Sequence, residues 1–143
     1  MSFEMDFKGL KGVQKGLARL PENVAKKIVR RVNRQSAAIL RDALRRNAPR
    51  GATGRLSKNV TVISRRQKPT YSASAVGYKK EGDRNSSKNA YYWRFVEFGT
   101  KYMRAQPFIH LTSFSQFNRI VRFQFAAIRS GIAAEVRKMR SAT

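Results

Sequence analysis

The groups in this sequence that could act chemically are its cations. There are 31 lysines and arginines against 8 aspartates and glutamates, a formal charge of +23, with one histidine and no cysteine. Without cysteine there is no thiol nucleophile, disulfide or thiolate metal site. The single histidine, His110, stands in Pro-Phe-Ile-His-Leu near an expected helix start and reads as a structural or solvated residue. The acids Glu4, Asp6, Glu22, Asp42, Glu81, Asp83, Glu97 and Glu135 are dispersed along the chain, and only Glu4/Asp6 and Glu81/Asp83 lie close together. No HExxH, GxSxG, GxxxxGK(S/T) or GxGxxG pattern occurs. The expectation is a structural protein, not an enzyme, with no cofactor and no metal. Glu97 is the acid to watch, because it stands between Val96 and Phe98 in an aromatic run, and a buried carboxylate is expensive unless it is paired or hydrogen-bonded. It reads either as an intersubunit or intrachain salt-bridge partner, for which Arg94 and Arg104 are near in sequence, or as a solvent-facing residue.

A domain this basic repels itself unless counter-charge is near. Phosphate is the obvious counter-charge; an acidic protein surface or an anionic membrane would also serve. No stretch approaches the roughly 18 apolar residues that span a bilayer. The N-terminal MSFEMDFKGL has acids at Glu4 and Asp6 and no following apolar run, unlike a secretory signal. A protein made and used in a cytoplasm is expected. Phosphate binding needs rows of Lys and Arg, not a sequence motif, and no helix-turn-helix, zinc-finger or RNA-binding aromatic signature is present. The alternative function on composition alone is therefore sequence-independent nucleic-acid binding.

The elements that would carry those rows are legible. With 41% hydrophobic residues and no repeat or compositional break, residues 1–143 read as a single domain. A short helix interrupted by Gly9, Gly12 and Gly16 is expected over 5–19, broken at Leu20-Pro21. Val24, Ile28, Val32, Ser36, Ile39, Ala43 and Leu44 then form an amphipathic stripe ending near Asn47, a helix about 39 Å long at 1.5 Å per residue. Its other face holds Lys26, Lys27, Arg30, Arg31, Arg34, Arg41 and Arg45, the candidate DNA- or partner-facing cations. Residues 56–63 and 71–78 read as a β-hairpin around a basic turn at Arg65–Pro69, and 79–89, which has no apolar residue, as a mobile loop. Residues 90–98 fit a buried strand or a short helix, and Lys101–Gln106 a further strand or an arm. From Pro107 the last helix carries Leu111, Phe114, Phe117, Val121, Phe125, Ile128, Ile132, Val136 and Met139 as its expected core stripe, with Arg119, Arg122 and Arg129 on other faces. The predicted class is α+β: a small antiparallel sheet, a hairpin plus one or two further strands, packed on two long amphipathic helices with a short N-terminal helix.

Two segments are more specific. Glu97-Phe98-Gly99-Thr100, then Met103 and Ala105-Gln106-Pro107-Phe108, resembles the signature of a family of small neck and tail-completion (head–tail joining) proteins of tailed phages, in which EFGT precedes a short arm and a PF dipeptide that opens the C-terminal helix. Thr53-Gly54-Arg55-Leu56-Ser57-Lys58-Asn59-Val60 is similar to that family's TGxLxxSI strand entry. Asn59 replaces the family's serine, and the proline often found shortly after PF is absent. The resemblance spans about residues 5–140 and marks Gly54, Arg55, Leu56, Glu97, Phe98, Gly99, Thr100, Pro107 and Phe108 as motif or assembly residues. It implies a virion protein at the head–tail junction, a homo-oligomeric and typically hexameric ring among neck, connector and tail proteins, whose cations line a channel for packaged double-stranded DNA. No membrane partner is implied.

Overall fold

Pro21 divides the N-terminal region into two helices. In the computed structural model, which describes residues 10–64, 73–83 and 85–142, α1 runs Leu10–Ala18 and α2 runs Glu22–Asn47. Pro21 has no N–H to leave unsatisfied at the helix start, and its carbonyl accepts the N–H groups of Val24 (2.9 Å) and Ala25 (3.0 Å). At the far end Ala48 is extended, the conformation a following proline favours. The other elements are α3 (Arg55–Asn59), β1 (Val60–Ser64), β2 (Ser74–Tyr78), α4 (Trp93–Phe98) and α5 (Phe108–Ser141). The class is α+β, with a two-stranded antiparallel sheet in register Val60↔Tyr78 through Ser64↔Ser74. The basic turn expected at 65–69 and the start of the strand expected at 71 lie outside the described residues.

Two expectations are corrected. Among the described residues the sheet has no third strand: the aromatic run resolves as helix α4, and Thr100 and Met103 close a tight turn. The strand expected from Leu56 begins only at Val60, after the helical turn α3. The reason is which side chains must go in. Leu56, Asn59 and Val60 are all buried, a spacing of three and four that belongs to a helix. A strand would have set Lys58 on the same face as Leu56. Gly54, in the left-handed conformation at φ 58°, starts the turn, and its carbonyl accepts Lys58 N–H.

Helices α2 and α5 pack antiparallel along almost all of α2. The Asn47 amide donates to the Thr112 hydroxyl (3.1 Å), Ala37 faces a groove shared with Ile120 and Gln124, and Ile28 reaches Gly131. The core is split between the two ends of this pair. One cluster joins Leu44, Ala48, Leu56, Val60, Ala90 and Phe108 under the sheet and α4; the other joins Leu20, Ile28 and Val32 to Ile128, Ile132 and Val136. Between them lies a groove of about 380 Å³ among α2, β2 and α5.

The α5 stripe is only partly core. Ile128, Ile132 and Val136 pack inward, where α1 also covers the helix, whereas Leu111, Phe114 and Phe117 are exposed. Beside the inward three, the residues that meet α2 include Thr112, Ile120, Gln124 and Gly131. A Cβ on Gly131 would stand 2.9 Å from Ile28 Cγ2, so glycine permits the close approach of the helices. Gly131→Val is expected to destabilise the fold by about 1–3 kcal/mol through overpacking, read from the urea midpoint. Gly131→Ala should lie nearer neutral, since a gain of about 1 kcal/mol in helix propensity opposes the strain. An unchanged midpoint for the valine variant would remove the close contact from the account.

Candidate assembly corner and basic face

The EFGT and PF segments form one corner, and each residue has a mechanical task. Glu97 is buried, and its two carboxylate oxygens accept the backbone N–H groups of Ile109 and His110, each at 2.9 Å. These are donors that the first turn of α5 cannot satisfy internally, and the positive end of the helix dipole favours a carboxylate there. Glu97 is therefore not solvent-facing, and among the described residues no cation forms the expected intrachain salt bridge with it. Val96 O accepts Gln106 N–H (2.8 Å), which ties the end of α4 to the chain entering α5.

Gly99 has φ 76°, and a Cβ there would come within 2.8 Å of Ala105 N and 2.9 Å of Met103 O, so only glycine lets the chain double back this tightly. The Thr100 hydroxyl accepts N–H from Met103 (3.1 Å) and Tyr102 (3.3 Å), closing the turn. Pro107 precedes the first turn of α5, and its carbonyl accepts Leu111 N–H. Phe108 is buried edge-on to Tyr78, which stacks on Trp93 at 5.6 Å. The same corner leaves Phe98 74% and Tyr102 92% exposed, with Phe95 and Leu111 also outward.

Further along the chain, Asn59 and Asn89 hold Gly82, Asp83 and Ser87. The Asn59 amide donates to Arg55 O and Ser87 O, and the Asn89 amide to Gly82 O and Asp83 O. Arg55 itself opens α3, and Leu56 fills the core beneath it.

The candidate cations separate into two kinds. Lys26 pairs with Glu22, Arg41 with Asp42 (2.8 Å), and Arg45 spends its guanidinium on Val60 O (2.9 Å from Nη2). The Arg41 guanidinium holds the Asp42 carboxyl below its ordinary range. Lys27, Arg30, Arg31, Arg34, Arg119, Arg122 and Arg129 are exposed and make no ion pair among the described residues. At about 100° per residue, Lys27, Arg30, Arg31, Arg34, Arg41 and Arg45 fall within roughly 100° of arc, opposite the buried Ile28, Val32, Ser36 and Ala43. They make a stripe about 27 Å long at 1.5 Å per residue. The Arg residues of α5 lie on a separate edge of that helix. Among the described residues no three His, Cys, Asp or Glu cluster as metal ligands, and no helix is long and apolar enough to cross a membrane.

Sequence reasoning missed the capping role of Glu97. The available signal was spacing: an acid ten residues before Pro107, a helix-entry proline.

Two substitutions test the corner. Glu97→Ala should cost about 1–3 kcal/mol, because two part-buried N–H groups lose their charged acceptor, while Glu97→Gln keeps one acceptor oxygen and should lose less; equal losses in urea unfolding would count against the cap. The Tyr78 hydroxyl is buried with no hydrogen-bond partner among the described residues, and burial, then the Glu97 charge, pushes its pKa up. Tyr78→Phe should therefore be neutral or stabilising by up to about 1 kcal/mol, whereas a loss would reveal a partner for the hydroxyl.

Compared with known protein families, residues 11–99 match the HK97-gp10-like family, described as "Bacteriophage HK97-gp10, putative tail-component". That span runs from α1 through the whole hairpin and α4 to Gly99, and stops before the PF entry to α5. No curated protein and no solved structure matches the chain. The matched span takes in the Gly54-Arg55-Leu56 turn and the Glu97-Phe98-Gly99 corner, and the chain belongs to the HK97-gp10-like family of phage tail-component proteins.

Proposed function

We propose that the chain is a non-catalytic structural subunit of the virion head–tail junction. In this reading it is a neck or tail-completion protein that assembles with copies of itself into a ring, hexameric by family resemblance, and joins the tail to the head connector. It is made in the host cytoplasm and finishes in the particle, among other neck, connector and tail proteins. The family assignment supports the tail-component role. The observation that carries the channel is the basic stripe of α2. Its members Arg30 and Arg34 lie on the outer face and Lys27 and Arg31 at its edge beside α5, all four exposed and without an ion pair among the described residues, so turning α2 toward a lumen presents them to phosphate without disturbing the fold.

Such contacts read charge and not sequence. Double-stranded DNA offers one phosphate per about 1.7 Å of axis, so the free stretch from Lys27 to Arg34, about 10 Å long at 1.5 Å per residue, can meet several at once. The ring also explains why so much like charge is tolerable: a polyanion threaded through it supplies the compensation that a free subunit lacks.

Binding of duplex DNA should weaken steeply with salt and without sequence preference. Arg30→Ala, Arg31→Ala and Arg34→Ala together should flatten the slope of log K against log salt by about 0.9 for each phosphate that is no longer neutralised. A shallow slope in the parent chain, or one that the triple substitution leaves unchanged, would remove α2 from the channel. A reconstruction of the intact neck decides the assembly itself: the chain should appear there in several copies, and its absence from purified virions would refute the reading.

A further inference from the structure

We propose that neighbouring copies join head to tail, with the apolar corner led by Phe98 and Tyr102 on one copy docking into the uncharged groove between α2, β2 and α5 of the next. The inference rests on the ring reading above and names the contact that would build it.

The corner is a knob. Phe95 and Phe98 share one face of α4, Tyr102 tips the Thr100–Met103 turn, and Leu111 stands one residue beyond the capped His110 N–H. Their exposures are 51%, 74%, 92% and 61%. The bonds from Glu97 to the first turn of α5 hold these pieces against one another, so the apolar side chains are presented on a rigid mount. Clustered exposed aromatics of this kind mark interaction surfaces, whereas scattered single ones do not. Tyr and Phe are also typical anchors of protein interfaces.

The groove is the matching hole. Ser36, Ala37, Leu40, Val76, Ile120 and Gln124 line it, and its volume of about 380 Å³ has room for an aromatic side chain. None of the described lining residues is charged, in a chain where 31 of 143 residues are Lys or Arg. An acidic protein or a nucleic acid would find no cation to meet among these described lining residues. A second copy at +23 needs just such a surface, because approach elsewhere brings like charges together.

Geometry then selects the mode. Leu111 and Ile120 are nine residues apart, about two and a half turns at 3.6 residues per turn, so knob and groove open from opposite faces of α5. Knob against knob, in a twofold dimer, would bring Arg94, Lys101 and Arg104 of one copy against the same three cations of the other. Knob into groove avoids that repulsion. A heterologous contact of this kind leaves one knob and one groove free at the ends, and closes into a ring when the rotation between copies permits.

The test uses the full-length chain and two double variants, with helical circular dichroism and thermal midpoints confirming that all three fold. Phe98→Ser/Tyr102→Ser removes the knob. Ser74→Arg/Gln124→Arg places charge in the groove at positions that are only partly buried. By sedimentation the parent chain should self-associate, and each double variant should do so at least about 30-fold more weakly, the loss expected for a hot-spot anchor. An equimolar mixture of the two variants should give a one-to-one dimer in native mass spectrometry and nothing larger, because each pair retains one intact contact. The proposal is overturned, with the ring reading intact, if the parent associates and both variants match it. It is equally overturned if only the knob variant is impaired, or if the mixture stays monomeric. A parent chain that remains monomeric at every concentration sinks the ring reading and this contact together.

Discussion

A buried carboxylate in a chain of net charge +23 has many cations to choose from, and Glu97 is paired with none of them among the described residues. Its acceptors go instead to two backbone N–H groups in the first turn of α5. The choice has a physical reason. A lysine or arginine reaching that site would have to bury a long side chain and lose its rotamer freedom. The helix start offers donors that are already fixed in place and that need an acceptor. Most of the exposed corner follows from this contact. It holds the end of α4 to the start of α5, gives the tight turn at Gly99 and Thr100 a firm base, and sets the direction in which α5 leaves to lie along α2.

That direction determines what α5 buries. An antiparallel pair in close contact needs small residues somewhere along the seam, and Gly131 under Ile28 supplies that approach near one end. Near the other end the seam holds Thr112, bonded to Asn47. The N-terminal half of the bulky apolar stripe of α5 is turned outward. Its C-terminal half finds cover against α1 and the start of α2, while Leu111 and Phe114 remain outside. The two core clusters at the ends of the pair leave a groove between them, so the groove and the exposed corner are consequences of how one helix is seated.

Charge follows the same logic. The cations of α2 sit opposite its buried stripe, because a long amphipathic helix that gives one face to a core has only the other face for ions. Several are then consumed by the fold: Arg45 on the carbonyl of Val60, Arg41 on Asp42 and Lys26 on Glu22. The remainder form the free stripe. Charge alone allowed any phosphate binder, and the family match narrows the chain to a phage tail component.

Much of this was legible in the residues. Pro21 and Pro49 bounded α2 at both ends, because proline restricts its own φ and the conformation of the residue before it. The apolar period identified both long helices, and the EFGT and PF segments marked the corner together with its family. Other features required the tertiary structure. Periodicity shows that a helix has an apolar stripe but not which neighbour covers it, so Leu111, Phe114 and Phe117 read as core and stand at the surface. The β-branched run from Val60 suggested a strand starting at Leu56, and only the burial of Leu56, Asn59 and Val60 together shows the helical turn before it. Glu97 could be flagged as a carboxylate in need of a partner, yet its partners are backbone groups more than ten residues away, which no side-chain pattern records. Local sequence determined the elements and the sign of their charge; which faces meet, and so which are left to bind, was decided by packing between distant segments.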